Sequence, residues 1–148
     1  MHGSLSRILS RRAIVVAAAM LLAVAGSLAG SVAGSAADST DNTVSLTVDY
    51  GDGVSKTMDH LAWTKGNTVL DAMKAATARP HGISFSFTGT GDATMLTKID
   101  DVASEGGGAG KKNWRYWVNG AYGDRSFATF ALQAHDHIVW RFTSEQGQ

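Results

Sequence analysis

The sequence contains no cysteine and only one proline in 148 residues. Without cysteine the chain can form no disulfide, offers no thiolate to a metal or a substrate, and has no residue to carry a lipid anchor after an apolar leader. Acidic and basic residues are balanced, at 13 each. These deficits exclude a disulfide scaffold, a cysteine-dependent enzyme and a lipoprotein.

The amino terminus has the order of a secretory signal peptide. Arg7, Arg11 and Arg12 precede an unbroken small and apolar run at residues 13–25, and Gly, Ser and Ala follow that run. A positive segment, then an apolar segment, then small residues for cleavage by signal peptidase is the order found in secretory signals. We therefore predict that residues 1–37 are a signal peptide.

The cleavage site and the export route follow from the same segment. Small side chains at residues 35–37 predict a mature chain that begins near Asp38, with a polar lead-in at residues 38–43. An uncleaved membrane anchor is an alternative, because residues 13–37 could almost cross a bilayer core of about 30 Å. Ser10-Arg11-Arg12 resembles a twin-arginine signal, so the Sec and twin-arginine routes both remain open. Either route predicts a periplasmic or extracellular protein.

The mature chain has a slightly acidic charge balance. Three of the 13 basic residues and none of the 13 acidic ones lie in the leader, which leaves a net charge of −3. Binding to nucleic acid or to anionic lipid needs a basic face, so we predict no nucleic-acid partner and no membrane contact after cleavage. The remaining chain, about 111 residues, is long enough for one domain that folds unaided.

Strand patterns dominate the mature sequence. Residues 44–50 alternate apolar and polar side chains, which is typical of a half-buried strand. Gly51-Asp52-Gly53 supplies a turn, and residues 54–63 return as a second strand, so we predict a hairpin. Four further strand patterns occur later in the chain, at residues 83–87, 95–99, 114–118 and 137–142, with a turn at Asn119-Gly120 after the third.

One helical pattern lies between these strands. The Thr68 hydroxyl can cap the first amides, while the Asp71 carboxylate reaches back to the same turn. Arg79-Pro80 ends the helix, because a residue before proline avoids the helical region. The fold class predicted is α+β, a small sheet with one helix packed across it. The predicted apolar stripe of that helix is Val69, Leu70, Met73, Ala76 and Thr77.

Four stretches carry motifs of a known family. They are Gly-Asn-Thr-Val-Leu-Asp-Ala-Met-Lys-Ala at 66–75, Ile-Asp-Asp-Val at 99–102, Trp-Arg-Tyr-Trp-Val-Asn-Gly at 114–120 and His-Asp-His-Ile-Val-Trp at 135–140. The chain resembles the transcobalamin carboxy-terminal-like domain family from about Val44 to Phe142. Two positions depart from the family pattern, since Asn67 stands where Asp is usual and His135 where Gly is usual.

The resemblance implies a β-grasp-like fold over residues 44–148. In the cobalamin carriers of the family, the corresponding domain caps one face of a corrinoid whose other face lies on a separate helical domain. We expect no such helical domain in this chain. The resemblance therefore implies an exported binding module that contacts a corrinoid or another planar ligand from one side.

The aromatic hairpin is the predicted contact surface. Along residues 114–118, even-numbered side chains point to one face of the strand and odd-numbered ones to the other. Both sets can be structural, or one set can form a flat apolar platform for a planar ligand or a sugar ring. The residues predicted to bind a ligand are Trp114, Tyr116, Trp117, Asn119 and Tyr122.

A histidine pair offers a weaker site. His135 and His137 lie two residues apart on one strand face, and a divalent metal would need further ligands from His60, His81 or a carboxylate. Chance placement on an exposed turn explains the pair better. We predict no metal site.

A glycine-rich run and the remaining polar residues show no catalytic pattern. Residues 106–112 imitate a phosphate loop, but Glu105 and Lys112 occupy the positions of a required glycine and a required Ser or Thr, so we interpret the run as a flexible loop. There is no Gly-x-Ser-x-Gly motif, and the acidic residues lack a recognisable spacing. We predict no enzyme activity and no cofactor. The alternative to ligand capture is docking of another exported protein through the hairpin or a sheet edge.

Overall fold

The structure, a computed structural model, describes residues 42–145. The predicted signal peptide and most of the polar lead-in lie outside the described residues. Within this range no helix combines the length and apolarity needed to cross a bilayer. The elements in chain order are β1 Thr43–Asp49, β2 Ser55–Ala62, α1 Val69–Thr77, β3 Phe85–Thr88, a 3-10 turn Gly91–Ala93, β4 Met95–Ile99, β5 Val102–Ala103, β6 Asn113–Val118, β7 Ala121–Tyr122 and β8 His137–Thr143.

The strands form two sheets. The larger has five strands in the order β2-β1-β8-β6-β7, and the smaller has three in the order β3-β4-β5. Strands β1 and β8 pair in parallel, while the other pairs are antiparallel. The α+β class with a single helix is confirmed in this part of the chain. The prediction of a single sheet is wrong, because β3 and β4 pair with each other and with the short strand β5 and not with the larger sheet.

The predicted hairpin forms from β1 and β2 and contains a bulge. Val44 pairs with Leu61 and Leu46 with Met58, so between these pairs one residue of β1 faces two of β2. His60 adopts a positive φ of 54° within the bulge. The extra residue lets Met58 and Leu61, three positions apart, both turn their side chains into the core.

The predicted helix cap is confirmed. The Asp71 N–H donates to Thr68 Oγ1 at 3.4 Å, and the Thr68 N–H donates to Asp71 Oδ2 at 3.0 Å, which is a reciprocal capping box. The Thr68 N–H holds the pKa of the Asp71 carboxyl below its usual range. The pair fixes the point at which the chain leaves the hairpin and enters α1.

The predicted apolar stripe of α1 is wrong at Thr77, whereas Leu70 packs against the core without being fully buried. Leu70 is half-buried, and Thr77 is exposed with its hydroxyl donating to Met73 O at 3.1 Å. Both residues lie at the margins of the helix face that meets the sheet. The fully buried face is narrower than predicted and follows the spacing i, i+3, i+4, i+7. The buried residues are Val69, Ala72, Met73 and Ala76.

The segment between β7 and β8 wraps around the start of α1. The Val69 N–H donates to Phe130 O at 3.1 Å, and the Leu70 N–H donates to Phe127 O at 3.0 Å. These carbonyls accept hydrogen bonds from the first amides of the helix, which have no acceptor inside the helix. The same segment places Phe127 and Leu132 in the core, with exposed fractions of 3% and 1%.

The core lies on one face of the five-stranded sheet. Helix α1 packs over the aliphatic half formed by β1 and β2. The smaller sheet and the segment after β7 lie over the aromatic half formed by β6 and β8. This second half contains the cavity described next.

Candidate functional site

A cavity of about 580 Å³ lies between the core face of the larger sheet, at its β6–β7 end, and strand β4 of the smaller sheet. We call it the aromatic cavity. Strand β7 covers only the last two residues of β6, so the edge of β6 nearer Asn113 borders this space. The lining residues are Thr88, Thr94, Met95, Leu96, Thr97, Ser104, Gly106, Gly107, Asn113, Trp114, Arg115, Tyr116, Tyr122, Gly123, Arg125, Ser126, Phe127 and Trp140.

Four aromatic side chains form one apolar wall. The Trp140 ring lies 5.2 Å from the Tyr116 ring and 5.4 Å from the Phe127 ring, centroid to centroid. Trp114 completes the wall, and each of the four is at most 6% exposed. Tilted and edge-on contacts of this kind hold aromatic rings in fixed positions. The wall is therefore rigid before any ligand arrives.

Hydrogen bonds fix two of these rings further. The Trp114 indole N–H donates to Val102 O at 2.9 Å, and the Tyr116 hydroxyl donates to Arg125 O at 2.6 Å. Burial raises the pKa of Tyr116, so the phenol stays protonated and keeps donating at neutral pH. The Tyr116 ring also lies against Gly123, where any side chain would overlap it.

The charged groups of the lining are both arginines. Arg115 Nη1 donates to the Tyr122 hydroxyl at 3.0 Å. Arg125 pairs with the exposed Asp124 at 3.0 Å, and its guanidinium lies 5.7 Å from the centre of the Phe130 ring. No residue that lines the cavity is acidic. The local charge is therefore positive.

Two donors beside this cavity have no partner. Arg115 Nε and Trp140 Nε1 are enclosed by protein, and neither makes a hydrogen bond within the described residues. Both residues line the aromatic cavity. Buried donors without acceptors are uncommon in folded proteins and call for a specific explanation.

The five residues predicted to bind a ligand do not form one surface. Trp114 and Tyr116 line the aromatic cavity, whereas Trp117 lies on the opposite, open face of the sheet. Tyr122 borders both places, since it lines the cavity and contacts the Trp117 ring at 5.6 Å. Trp117 is half-buried, with the Arg141 guanidinium 5.3 Å from its ring centre.

Asn119 occupies the turn between β6 and β7. It adopts a positive φ of 51°, its Nδ2 donates to Asp136 Oδ1 at 2.7 Å, and its Oδ1 accepts from the His137 N–H at 2.9 Å. Asp136 is only 8% exposed and also accepts from the Gln133 N–H at 2.7 Å. In this structure the Asn119 side chain ties the turn to the start of β8.

Sequence reasoning missed three contributors to the cavity. Trp140 was visible as an inward position of its strand, but the sequence does not show what faces it. Phe127 lies in a stretch without periodicity, and Arg115 appeared only as a member of the opposite face. The sequence contained one signal for Trp140. It lies two residues after Ile138 in β8, so both side chains point to the same, buried face of the sheet.

The histidine pair separates into two environments. His137 Nε2 lies 3.1 Å from Thr47 Oγ1 on the open sheet face. His135 and His60 border a different cavity of about 220 Å³, together with Asp59. Within residues 42–145 no three residues of the types His, Asp or Glu are placed to hold a metal ion.

The glycine-rich run is a loop closed by hydrogen bonds at its base. The Glu105 N–H donates to Lys112 O at 2.9 Å, and the Lys112 N–H donates to the Glu105 carboxylate at 2.8 Å. The two residues that break the phosphate-loop pattern therefore pair with each other. Gly106 and Gly107 of this loop reach the rim of the aromatic cavity.

Comparisons with known proteins place the chain by its fold and family. No curated protein matches it. The crystal structure of a candidate metal-binding protein from Ruminococcus gnavus ATCC 29149 is similar, with a TM-score of 0.54 and 11% sequence identity over 70% of this chain and 97% of that one. At that identity the likeness shows the fold alone. The profile of the family described as "Domain of unknown function (DUF4430)" matches residues 66–144, more than half of the chain, and the chain belongs to that family.

Proposed function

We propose that this domain is a non-enzymatic binding module that holds a planar, largely apolar small ligand in the aromatic cavity. The observation that carries the proposal is the cavity itself, about 580 Å³ with a wall of four buried aromatic rings. Small-ligand sites typically have volumes of about 300–1,000 Å³ and apolar walls with a few fixed polar groups. The cavity fits that description in both size and chemistry.

The lining supports binding better than catalysis. It contains no His, Asp, Glu, Lys or Cys to act as a general base, and the hydroxyls of its two serines, Ser104 and Ser126, donate to backbone carbonyls. Tyr116, one of its two tyrosines, donates to a backbone carbonyl, and burial raises its pKa and keeps it protonated. The polar groups that remain can orient a ligand by hydrogen bonds.

A corrinoid is one member of the proposed ligand class. Two observations support a corrinoid. The chain resembles the transcobalamin carboxy-terminal-like family, which has a β-grasp-like fold. In addition, the first and last strands of the larger sheet, β1 and β8, pair in parallel, and α1 crosses that sheet. A single domain covers only one side of such a ligand, while the entropic cost of association stays the same. We therefore expect an affinity in the range of about micromolar or weaker.

The test is calorimetric titration of the purified protein with cobinamide and with 2-naphthamide, a neutral planar probe. Thr97 lines the cavity from β4 and is partly exposed, so Thr97→Trp should fill the space without removing a core side chain. Thr97→Ser is the matched control and should bind like the wild type. Loss of heat in Thr97→Trp alone, with an unchanged circular dichroism spectrum, supports the proposal.

The opposite result has two forms. If no probe gives heat up to millimolar concentration, the small-ligand proposal fails, and protein docking becomes the better account. If Trp117→Ala abolishes binding while Thr97→Trp does not, the ligand uses the open sheet face, where Trp117 lies between Arg141 and Tyr122.

Titrations with Zn²⁺ and Ca²⁺ belong in the same series, because the similar Ruminococcus gnavus protein is a candidate metal binder.

Export is the second part of the proposal. We propose that residues 1–37 direct the chain to the periplasm or the outside of the cell and are then removed. The order of charge, apolar run and small residues supports it.

A further inference from the structure

The two buried donors that lack a partner among the described residues both belong to residues that line the aromatic cavity. They are Trp140 Nε1, on the core face of the larger sheet, and Arg115 Nε, at the edge of β6 that β7 leaves uncovered. Each atom can only donate, since neither a guanidinium nor an indole nitrogen accepts a hydrogen bond. Trp140 is 2% exposed, so its N–H is sealed from bulk solvent. A site with two unused donors is complementary to a ligand that brings acceptors.

The positive charge of Arg115 favours a ligand whose hydrogen-bond acceptor is negatively charged. None of the ion pairs found among residues 42–145 includes Arg115, and no acidic side chain lines the cavity. A guanidinium that is partly removed from water without a counter-ion destabilises the fold. An anion in the cavity would supply the missing partner.

The hydrogen bonding of the guanidinium points to an oxyanion. Nη1 already donates to the Tyr122 hydroxyl at 3.0 Å, which fixes the orientation of the planar group. The opposite edge, formed by Nε and Nη2, is the edge that binds a carboxylate through two parallel hydrogen bonds. Nε is enclosed in this conformation, so binding at that edge requires a neighbouring side chain to move.

From these observations we infer that the ligand of the aromatic cavity carries a carboxylate or a similar oxyanion, which Arg115 binds while the planar body lies along the aromatic wall. Trp140 Nε1 supplies a second, neutral donor to a ligand oxygen. The inference rests on the proposed function, because it assigns the polar end of the same ligand.

The experiment compares 2-naphthoate with 2-naphthamide, which have the same planar body and differ in charge. Both are titrated into the purified protein by calorimetry at two salt concentrations. A hydrogen bond to a charged group contributes more than a neutral one, so we expect 2-naphthoate to bind about tenfold more tightly or better. Added salt should weaken the binding of the acid and leave that of the amide unchanged.

Variants assign the effect to the named side chains. Arg115→Gln should lower the affinity for 2-naphthoate about tenfold and leave that for 2-naphthamide within about twofold, while Arg115→Lys should restore part of the loss. Trp140→Phe keeps a ring in the wall and removes the indole donor, so it should weaken both probes. Lys65→Gln is the matched control for the loss of one positive charge, because Lys65 is exposed and does not line the cavity, so the change should alter neither affinity.

The outcomes separate the two proposals. Equal affinities for acid and amide in the wild type overturn the oxyanion inference and leave the aromatic cavity as a neutral binding site. Parallel losses for both probes in Arg115→Gln, with none of the loss restored by Arg115→Lys, also overturn it, because they assign Arg115 to structure alone. Absence of heat with both of these probes and with cobinamide overturns the proposed function itself. If Arg115→Gln does not fold, Arg115→Lys and the salt dependence still decide between these results.

Discussion

The Tyr116 ring lies directly against Gly123, and this contact leaves no room for a Cβ at residue 123. Gly123→Ala should push the ring out of the aromatic wall and lower the free energy of unfolding by about 1–3 kcal/mol, as overpacking does. Urea unfolding measures the loss. Gly107→Ala is the control, because no heavy atom lies within 4 Å of a Cβ built there, and it should change stability by less than about 0.5 kcal/mol. Similar values for both variants would show that Tyr116 moves aside without cost.

Asn119 should stabilise the turn through its side chain and not only through its backbone conformation. Asn119→Gly keeps the positive φ accessible but removes the hydrogen bonds to Asp136 and His137, which should cost about 1–3 kcal/mol. Asn119→Ala should cost more, because alanine is also strained at φ 51°. Chemical denaturation of both variants checks the order. If Asn119→Gly is as stable as the wild type, the buried Asp136 carboxylate does not depend on this partner.

Helix α1 should depend on Met73 more than on Leu70. Met73 is fully buried, so Met73→Ala should cost about 2–5 kcal/mol, whereas Leu70→Ala at a half-buried position should cost less. Thr68→Ala should cost about 1 kcal/mol through the lost cap. Thermal and urea unfolding give the three values. A larger loss for Leu70→Ala than for Met73→Ala would contradict the orientation of the helix described above.

Asp100 should make stability fall in acid. Burial alone would raise its pKa, but hydrogen bonds from the Ser84 N–H, the Tyr50 hydroxyl and Lys56 outweigh burial and hold the pKa below its usual range. A carboxyl with a lowered folded pKa contributes stability above its unfolded pKa, about 3.9, and that contribution is lost as pH falls through the folded pKa. Asp100→Asn should therefore be less stable than the wild type at about pH 6, and the difference should shrink towards about pH 2.

Urea unfolding at both pH values tests this dependence. Asp101→Asn is the control, because the Asp101 carboxylate is exposed and lies 4.0 Å from Lys98, and its effect should be small at either pH. Asparagine also tolerates the positive φ of 47° at residue 100. A difference between Asp100→Asn and the wild type that is constant with pH would show that the ionised form is not favoured in the folded state.

The leader should be removed on export. Amino-terminal sequencing of the exported protein should begin within a few residues of Asp38, because small side chains occupy residues 35–37. Replacing Arg11 and Arg12 with lysines should stop export only if the twin-arginine route is used. Recovery of a chain with Met1 intact in the membrane fraction would support the uncleaved anchor.

Local patterns were enough to find the elements that bury one face. A short run of residues predicted β4 at its observed bounds, alternation placed β1, β6 and β8 within two residues of theirs, and the capping pair located the start of α1. Alternation also places Trp114 and Trp117 on opposite faces of β6. It does not show which of the two side chains lies next to a cavity, since that depends on strands and loops from elsewhere in the chain.

The unpredicted part of the site comes from segments with no repeating pattern. Phe127 reaches the aromatic wall from a stretch whose backbone bonds to the start of α1, and this contact joins residues far apart in sequence. Arg115 alternates outward, yet it lines the cavity because β7 ends beside it. A single sequence contains no local signal for either arrangement.

The position of β8 in the middle of the larger sheet has a consequence for how the protein is made. Chains emerge from the ribosome amino end first, so β1, β2 and β6 are all synthesised before the strand that joins them. Until residues 137–143 are available, the inner edges of β1 and β6 lack their partner, and the apolar side chains facing Trp140 and Ile138 are uncovered. A nascent chain stalled before His137 should therefore be a substrate for chaperones and proteases, and folding should be completed only after synthesis of the whole domain.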